Sequence, residues 1–179
     1  MRAYRAMEPR PVSHSVSTLV KWMGIGDANS AGFVHGGTVM YLCDEVAGVA
    51  AVRHSGGRVV TAAMDRMTFL LPVHVGELLT LESSVNAAWR TSMEIGVRVT
   101  AENVRTGEKR HTNTAYLTMV ALDDDGRPAP VPPLTCATDA EIRREREAQL
   151  RRANRLAERE AIVATREARG EPGDPLPAK

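Results

Sequence analysis

The stretch from 29 to 53 reads NSAGFVHGGTVMYLCDEVAGVAAVR, and the fold turns on how it is read. A glycine-punctuated loop runs into a segment, 38–52, that lacks proline and is mostly valine, methionine, leucine, cysteine and alanine. Gly36-Gly37 marks a close backbone turn where a helix starts. His54-Ser55-Gly56-Gly57 ends that helix, with glycine after the last turn. At helical spacing the neighbours of Asp44 are Gly37, Met40, Tyr41, Ala47, Gly48 and Ala51, none of them a cation. A helix that is apolar nearly all round is a buried one. An acid inside it loses solvation, so it either does chemistry or needs a partner. The plainer reading stands beside this one: Asp44 and Glu45 mark the solvated edge of an ordinary core helix.

Outside this helix the chain has room for one domain and an appendage, at 179 residues. A net charge of +1 argues against bulk attraction to nucleic acid or membrane. An aromatic content of 4% argues against base-stacking surfaces. Cys43 and Cys136 make no disulfide framework and suit a reducing compartment. No apolar region follows Arg2, Arg5 and Arg10 as a signal peptide would require, and no run approaches the ~18 apolar residues of a membrane span. The expected location is the cytoplasm.

Before the helix, 1–12 reads as a loose arm interrupted by Pro9 and Pro11. A first strand follows at 14–23, then a loop at 24–37. Beyond the helix the period changes to two. Strands are expected at 58–70, 78–89, 92–104 and 109–122, separated by turns at 72–77 and 105–108. In the third of these, Met93, Ile95, Val97, Val99 and Ala101 face a core while Glu94, Gly96, Arg98, Thr100 and Glu102 face water. In the second, Leu79, Leu81, Ser83, Val85 and Ala87 share one side. Asp123-Asp124-Asp125-Gly126 has the look of a calcium loop, but Arg127 falls where the third alternating ligand belongs, so it is a turn. Pro128, Pro130, Pro132 and Pro133 make a stiff connector. Thr138 then offers an N-cap, with Glu141 three residues on. The helix expected at 140–169 carries nine arginines against six glutamates. Ile142, Leu150, Leu156 and Ile162 are too sparse for a heptad seam. It reads as a solvated or weakly packed helix, with a partner contact as the other reading, and 170–179 as a disordered tail. One apolar helix followed by antiparallel strands gives an α+β class: a curved antiparallel sheet wrapped around one central helix, with an extra C-terminal helix. Its open edge strand invites a second copy.

The chemistry narrows by elimination. The Gly-x-Ser-x-Gly signature of a serine esterase is absent. Among His14, His35, His54, His74 and His111 no two lie three or four apart, which excludes a helical metal pair. Cys43 reads as core filler. His35 is open between ligand, loop packing and substrate contact. Gly36 and Gly37 are either a plain tight turn or bare N–H groups at a helix start, where the dipole favours a developing oxyanion. With Asn29 ahead of them and Asp44 two turns along, the pieces fit acyl transfer to water, the carboxylate taking a proton from water or attacking the carbonyl itself. A thioester suits this equipment, because its thiolate leaves with little acid help.

The series Asn29, Gly32, His35-Gly36-Gly37, Met40, Asp44-Glu45, Val60-Thr61-Ala62, Phe69, Pro72-Val73, Gly76-Glu77, Thr91-Ser92-Met93-Glu94, Ala115-Tyr116-Leu117-Thr118 and Gly126-Arg127 resembles the hot-dog-fold acyl-CoA thioesterases, specifically the bacterial acyl-CoA hydrolases related to brain acyl-CoA hydrolase. The resemblance spans roughly 13–134. It implies an arm at 1–12, a thioesterase domain at 13–136, and a charged helix and tail at 137–179. It implies a site between two copies. Asp44 of one copy is base or nucleophile, Asn29 of the other orients water or carbonyl, and Gly36 and Gly37 polarise the thioester. Together with His35, Thr61 and the Arg90, Thr91 and Ser92 stretch line the CoA groove. No metal or cofactor is implied, CoA being part of the acyl-CoA substrate. A homodimer is the minimum assembly, with a hexameric trimer of dimers by analogy. Many relatives carry glycine where this chain has Trp89, whose indole is expected to reshape the nucleotide end of the groove. Two rival functions remain at this stage: a hot-dog hydratase or dehydratase with His35 paired to an acid, and a non-catalytic acyl-CoA sensor using the arginine-rich helix.

Overall fold

The computed structural model describes residues 7–168. Strand β1 (Arg10–Pro11) is two residues long and leads through a 3-10 turn into β2 (Ser17–Trp22). Helix α1 (Gly36–Ser55) follows, then β3 (Arg58–Met64), β4 (Leu78–Ala88), β5 (Ser92–Glu102) and β6 (Lys109–Leu122). The chain closes with the short β7 (Leu134–Thr135) and α2 (Asp139–Ala168). Five strands form one antiparallel sheet in the order β2-β4-β5-β6-β3, curled around α1, and β1 pairs parallel with β7 apart from it.

The alternation expected for β5 is realised. Met93, Ile95, Val97, Val99 and Ala101 are fully buried against α1, together with Leu79, Leu81 and Val85 of β4 and Leu117 and Met119 of β6. From α1 the core takes Val39, Leu42, Cys43, Val46, Ala47, Ala50 and Ala51. Gly56, at φ 74°, ends the helix in the left-handed conformation that glycine adopts without cost, its N–H bonded to Val52 O at 2.8 Å.

Four expectations are corrected. First, α1 is not buried all round: Met40, Tyr41, Val49 and Val52 are exposed, because a single sheet can cover only one side of a helix. Second, the arm at 1–12 is tied down at its end. Arg10 N–H donates to Pro133 O at 2.9 Å, and its guanidinium donates to Arg53 O and His54 O at the C-terminus of α1. Residues 1–6, like the tail expected at 170–179, lie outside the described residues. Third, the strand expected at 58–70 stops at Met64, and the next seven residues run irregularly toward Pro72. Fourth, Glu94 does not face water. It is fully buried beneath α2, which lies across the outer face of the sheet. Arg151 binds its carboxylate at 2.7 Å, and the arginine-rich helix is therefore docked, not merely solvated. The N-cap of α2 is as expected: Glu141 N–H donates to Thr138 Oγ1, and Glu141 Oε2 accepts from Thr138 N–H and Ala137 N–H.

Candidate active site

Helix α1 carries two of the candidate groups, one at its start and one in its middle. At the start, His35 is the N-cap, and its Nδ1 accepts the Gly37 N–H at 3.3 Å. The His35 backbone is held by the loop, its N–H donating to Asp27 O at 2.7 Å. The Gly36 N–H makes no hydrogen bond among the described residues, so it stands open at the positive end of the helix. The Phe69 ring lies against Gly36, where an added Cβ would meet it at 3.3 Å. That close approach explains the glycine, and it also explains why the chain after β3 leaves the sheet: it carries Phe69 to the helix start.

In the middle of α1, Asp44 is half-buried at the border between the core face and the open face. Thr61 Oγ1 donates to its Oδ1 at 2.6 Å and also lies 3.3 Å from Met119 Sδ. Thr61 reaches it by the regular alternation of β3, since Val59 opposite Ala121 and Thr61 opposite Met119 both face α1. A bulge between Thr61 and Ala63 then breaks that alternation, so that Met64, opposite Leu117, turns toward α1 in place of Ala63. Bulges beside working side chains are a common means of re-aiming them. The adjacent Cys43 is no rival nucleophile: burial first, then the Asp44 charge, pushes its thiol up to about 12.

Asn29 sits in the loop before α1. Its Oδ1 accepts from Ala31 N–H at 2.9 Å and Phe33 N–H at 3.2 Å, which leaves Nδ2 without a partner among the described residues. The turn bearing Arg90, Thr91 and Ser92 is closed by Trp89 N–H to Ser92 O at 2.8 Å. Ser92 pairs with Val120, which in turn pairs with Val60, so this turn and Thr61 occupy the same end of the sheet. Trp89, expected to reshape the nucleotide end of the groove, has a structural contact of its own. Its indole faces α2, Nε1 donating to Gln149 Oε1 at 2.9 Å with the Arg152 guanidinium 4.4 Å from the ring centre. It is a dock for the helix. Arg151 and Arg155, which unite α2 with Glu94 and the sheet, were not singled out in the sequence, where their long separation from Glu94 hides the pairing.

One protomer does not bring all these groups onto one point. Gly37 and Asp44 are seven residues apart on a straight helix, a rise of about 10 Å, whereas a reacting carbonyl needs its partners within about 3.5 Å. Meanwhile β3 has a ladder partner only in β6, and its other edge, like the open face of α1, is unoccupied among the described residues.

Comparison with known proteins places the fold in a family. Residues 31–108 match the family model described as the Thioesterase superfamily. A crystal structure of a hexameric acyl-CoA thioesterase superposes with a TM-score of 0.82 at 38% identity, covering 85% of this chain and 97% of that one. The chain belongs to the hot-dog acyl-CoA thioesterases. An acyl-CoA hydrolase from Staphylococcus aureus, solved with butyryl coenzyme A, coenzyme A and coenzyme A disulfide, matches at 32% identity and a TM-score of 0.82, over 90% of this chain and 99% of that one. Further structures of that enzyme carry an asparagine, an aspartate or a threonine replaced by alanine. The human cytosolic acyl coenzyme A thioester hydrolase is 38% identical over 155 residues, 86% of this chain but only 41% of that enzyme. Among the described residues no helix is long and apolar enough to cross a membrane.

Proposed function

We propose that this chain hydrolyses acyl-CoA to a free acid and CoA, in the cytoplasm and without a cofactor, at a site assembled from two copies. The observation that carries the reading is the Asp44 carboxylate. Thr61 aims it with a 2.6 Å hydrogen bond, and it sits at the border of a helix face left open among the described residues of its own protomer. The thioester oxygen rests on the Gly36 N–H of one copy, with the Gly37 N–H joining if its long bond to His35 yields. Asn29 supplies Nδ2 to hold the carbonyl or the water. Asp44 of the other copy takes a proton from that water, and the hydroxide adds to the carbonyl carbon. The resulting oxyanion is met by the helix-start N–H, and the intermediate collapses by breaking the C–S bond. The thiolate leaves and is protonated, and Asp44 returns its proton to solvent. In the covalent variant of this chemistry, Asp44 attacks first and water then opens the mixed anhydride.

The rise between Gly37 and Asp44 supports the two-copy arrangement. The open edge of β3 and the exposed Met40, Tyr41, Val49 and Val52 offer the surface for it. A pair joined there is the minimum unit, and three such pairs would make the hexamer. Arg90, Thr91 and Ser92 with Thr61 border the CoA groove, and His35 borders the acyl end. Residues 13–136 form the catalytic unit and 137–179 its appendage. His35 spends its Nδ1 on the Gly37 N–H, which favours hydrolysis over a hydratase role.

The deciding experiment is thiol release over acyl-CoA esters of increasing length. Wild-type protein turns over at least one ester, and Asp44→Asn lowers kcat by about 1,000-fold or more with the fold intact. Full activity in a clean Asp44→Asn preparation removes the carboxylate from the mechanism.

A further inference from the structure

Helix α2 crosses the outer face of the sheet, reaching the strands in the order in which they are paired. Gln149 and Arg152 hold Trp89 at the end of β4. Arg151 binds Glu94 of β5 at 2.7 Å and lays its guanidinium 3.6 Å from the ring centre of Tyr116 on β6. Arg155 lies 3.5 Å from Glu94 and binds Asp65, the first residue after β3, at 2.7 Å. The helix is a brace across four strands, and its last fastening is to the strand that carries Thr61.

That strand needs one. β3 is an edge with a single ladder neighbour, and the bulge between Thr61 and Ala63 interrupts even that ladder. A bulged edge is the part of a sheet most easily twisted. Beyond the bulge, Asp65 N–H donates to Tyr116 O at 2.9 Å and the Asp65 carboxylate is held by Arg155. Packing does not replace this bond. An open cleft of about 680 Å³ lies beside it, between Ala63, Met64 and Tyr116 on the sheet and Arg151 and Asn154 on α2. The neighbouring pair, Arg66 with Glu158, is exposed and so contributes little. Arg155 and Asp65 are different, with side chains only 25% and 17% exposed.

We propose that Arg155 is a positioning residue for Asp44: through Asp65 it fixes the far side of the β3 bulge and so keeps the Thr61 hydroxyl on the Asp44 carboxylate. The inference rests on the reading of Asp44 as the working acid of a thioesterase. It gives α2, which touches no reacting atom, a part in catalysis.

The test begins with wild-type thiol release; silence at every chain length sinks the hydrolase reading and leaves the positioning claim to the exchange measurement below. Arg155→Ala lowers kcat about tenfold with KM within about twofold, since a small misplacement near the chemistry is costly. Arg155→Lys keeps a cation opposite Asp65 and recovers most of that rate. In a Thr61→Val background, adding Arg155→Ala costs less than about twofold more, because the two residues act through one bond. An unchanged kcat in Arg155→Ala, or the full loss repeated in the Thr61→Val background, overturns the proposal. Amide hydrogen exchange needs no substrate: Arg155→Ala speeds exchange over 59–65 by about tenfold while β5 keeps its protection. Unchanged exchange there overturns it as well. If Arg155→Ala fails to fold, Asp65→Asn removes the same bond from the other side and is judged by the same criteria.

Discussion

One sheet holds two helices by opposite means. On its concave side α1 is held chiefly by burial, eight of its residues enclosed, with Asp44 half-buried at the border and Glu45 exposed. On its outer side α2 brings almost no apolar surface: among the described residues Ala148 is its single fully buried residue, and Leu150, Leu156, Ile162 and Val163 are exposed. Arginines fasten it instead, to Glu94, Asp65 and the faces of Tyr116 and Trp89. Burial is non-directional and forgiving of small shifts. A bidentate guanidinium is directional and punishes them. The first kind of attachment suits a core. The second suits a brace whose job is to fix where strands end.

The comparison breaks first, if it breaks, at Glu94. Arg151→Ala takes the bidentate partner from a fully buried carboxylate, leaving it the Asn86 amide and the longer Arg155 contact, and is expected to cost about 4 kcal/mol in urea denaturation. Replacing both partners, as Glu94→Met with Arg151→Leu, recovers most of that loss, since no unpaired charge remains. A cost below about 1 kcal/mol for the single change would show that α2 is held by something other than its arginines. On the other side of the sheet, Leu42→Ala is expected to cost about 3 kcal/mol as a cavity, unchanged by added salt. Salt sensitivity there would erase the distinction between the two helices.

Acid sharpens the contrast at a third point. Burial alone would raise the Glu77 carboxyl, but Arg110, bound through both nitrogens at 2.5 and 2.8 Å, and the His74 N–H outweigh it and hold the group below its ordinary value of 4.5. A carboxyl depressed by folding adds stability above its unfolded value, and that stability drains away as the pH falls through the lower folded one. Glu77→Gln therefore costs about 2 kcal/mol at neutral pH and flattens the acid limb of a melting-temperature profile below 4.5. A parallel acid limb in the variant contradicts the assignment. The smallest effect belongs to Leu156→Ala on the exposed side of α2, expected to change stability by less than about 0.5 kcal/mol.

How much of this was legible before the structure follows the same division. The core face of β5 could be read residue by residue, because alternation is a local pattern and Met93 to Ala101 obey it. The ends of α1 were legible from Gly36-Gly37 and Gly56. Glu94 was misread as solvent-facing because the same alternation that sends it away from the core says nothing of what lies beyond. Its partner stands 57 residues along the chain, in a segment whose charge pattern resembles that of any solvated helix. Thr61 was placed near the site by resemblance and faces α1 by plain alternation with Val59, but the bulge just beyond it is something that period-two reading smooths over. The early end of β3 was missed for a related reason: the apolar run through Phe69, Leu70 and Leu71 looks like strand, and only the helix start it travels to explains it.

The seating of Arg10 on the last carbonyls of α1 has a practical side. It pins Arg10 at the far end of α1, about 30 Å from the helix start, the length of a twenty-residue helix. A fluorophore carried by the neighbouring exposed Glu8 position therefore reports from the opposite end of α1 to Gly36.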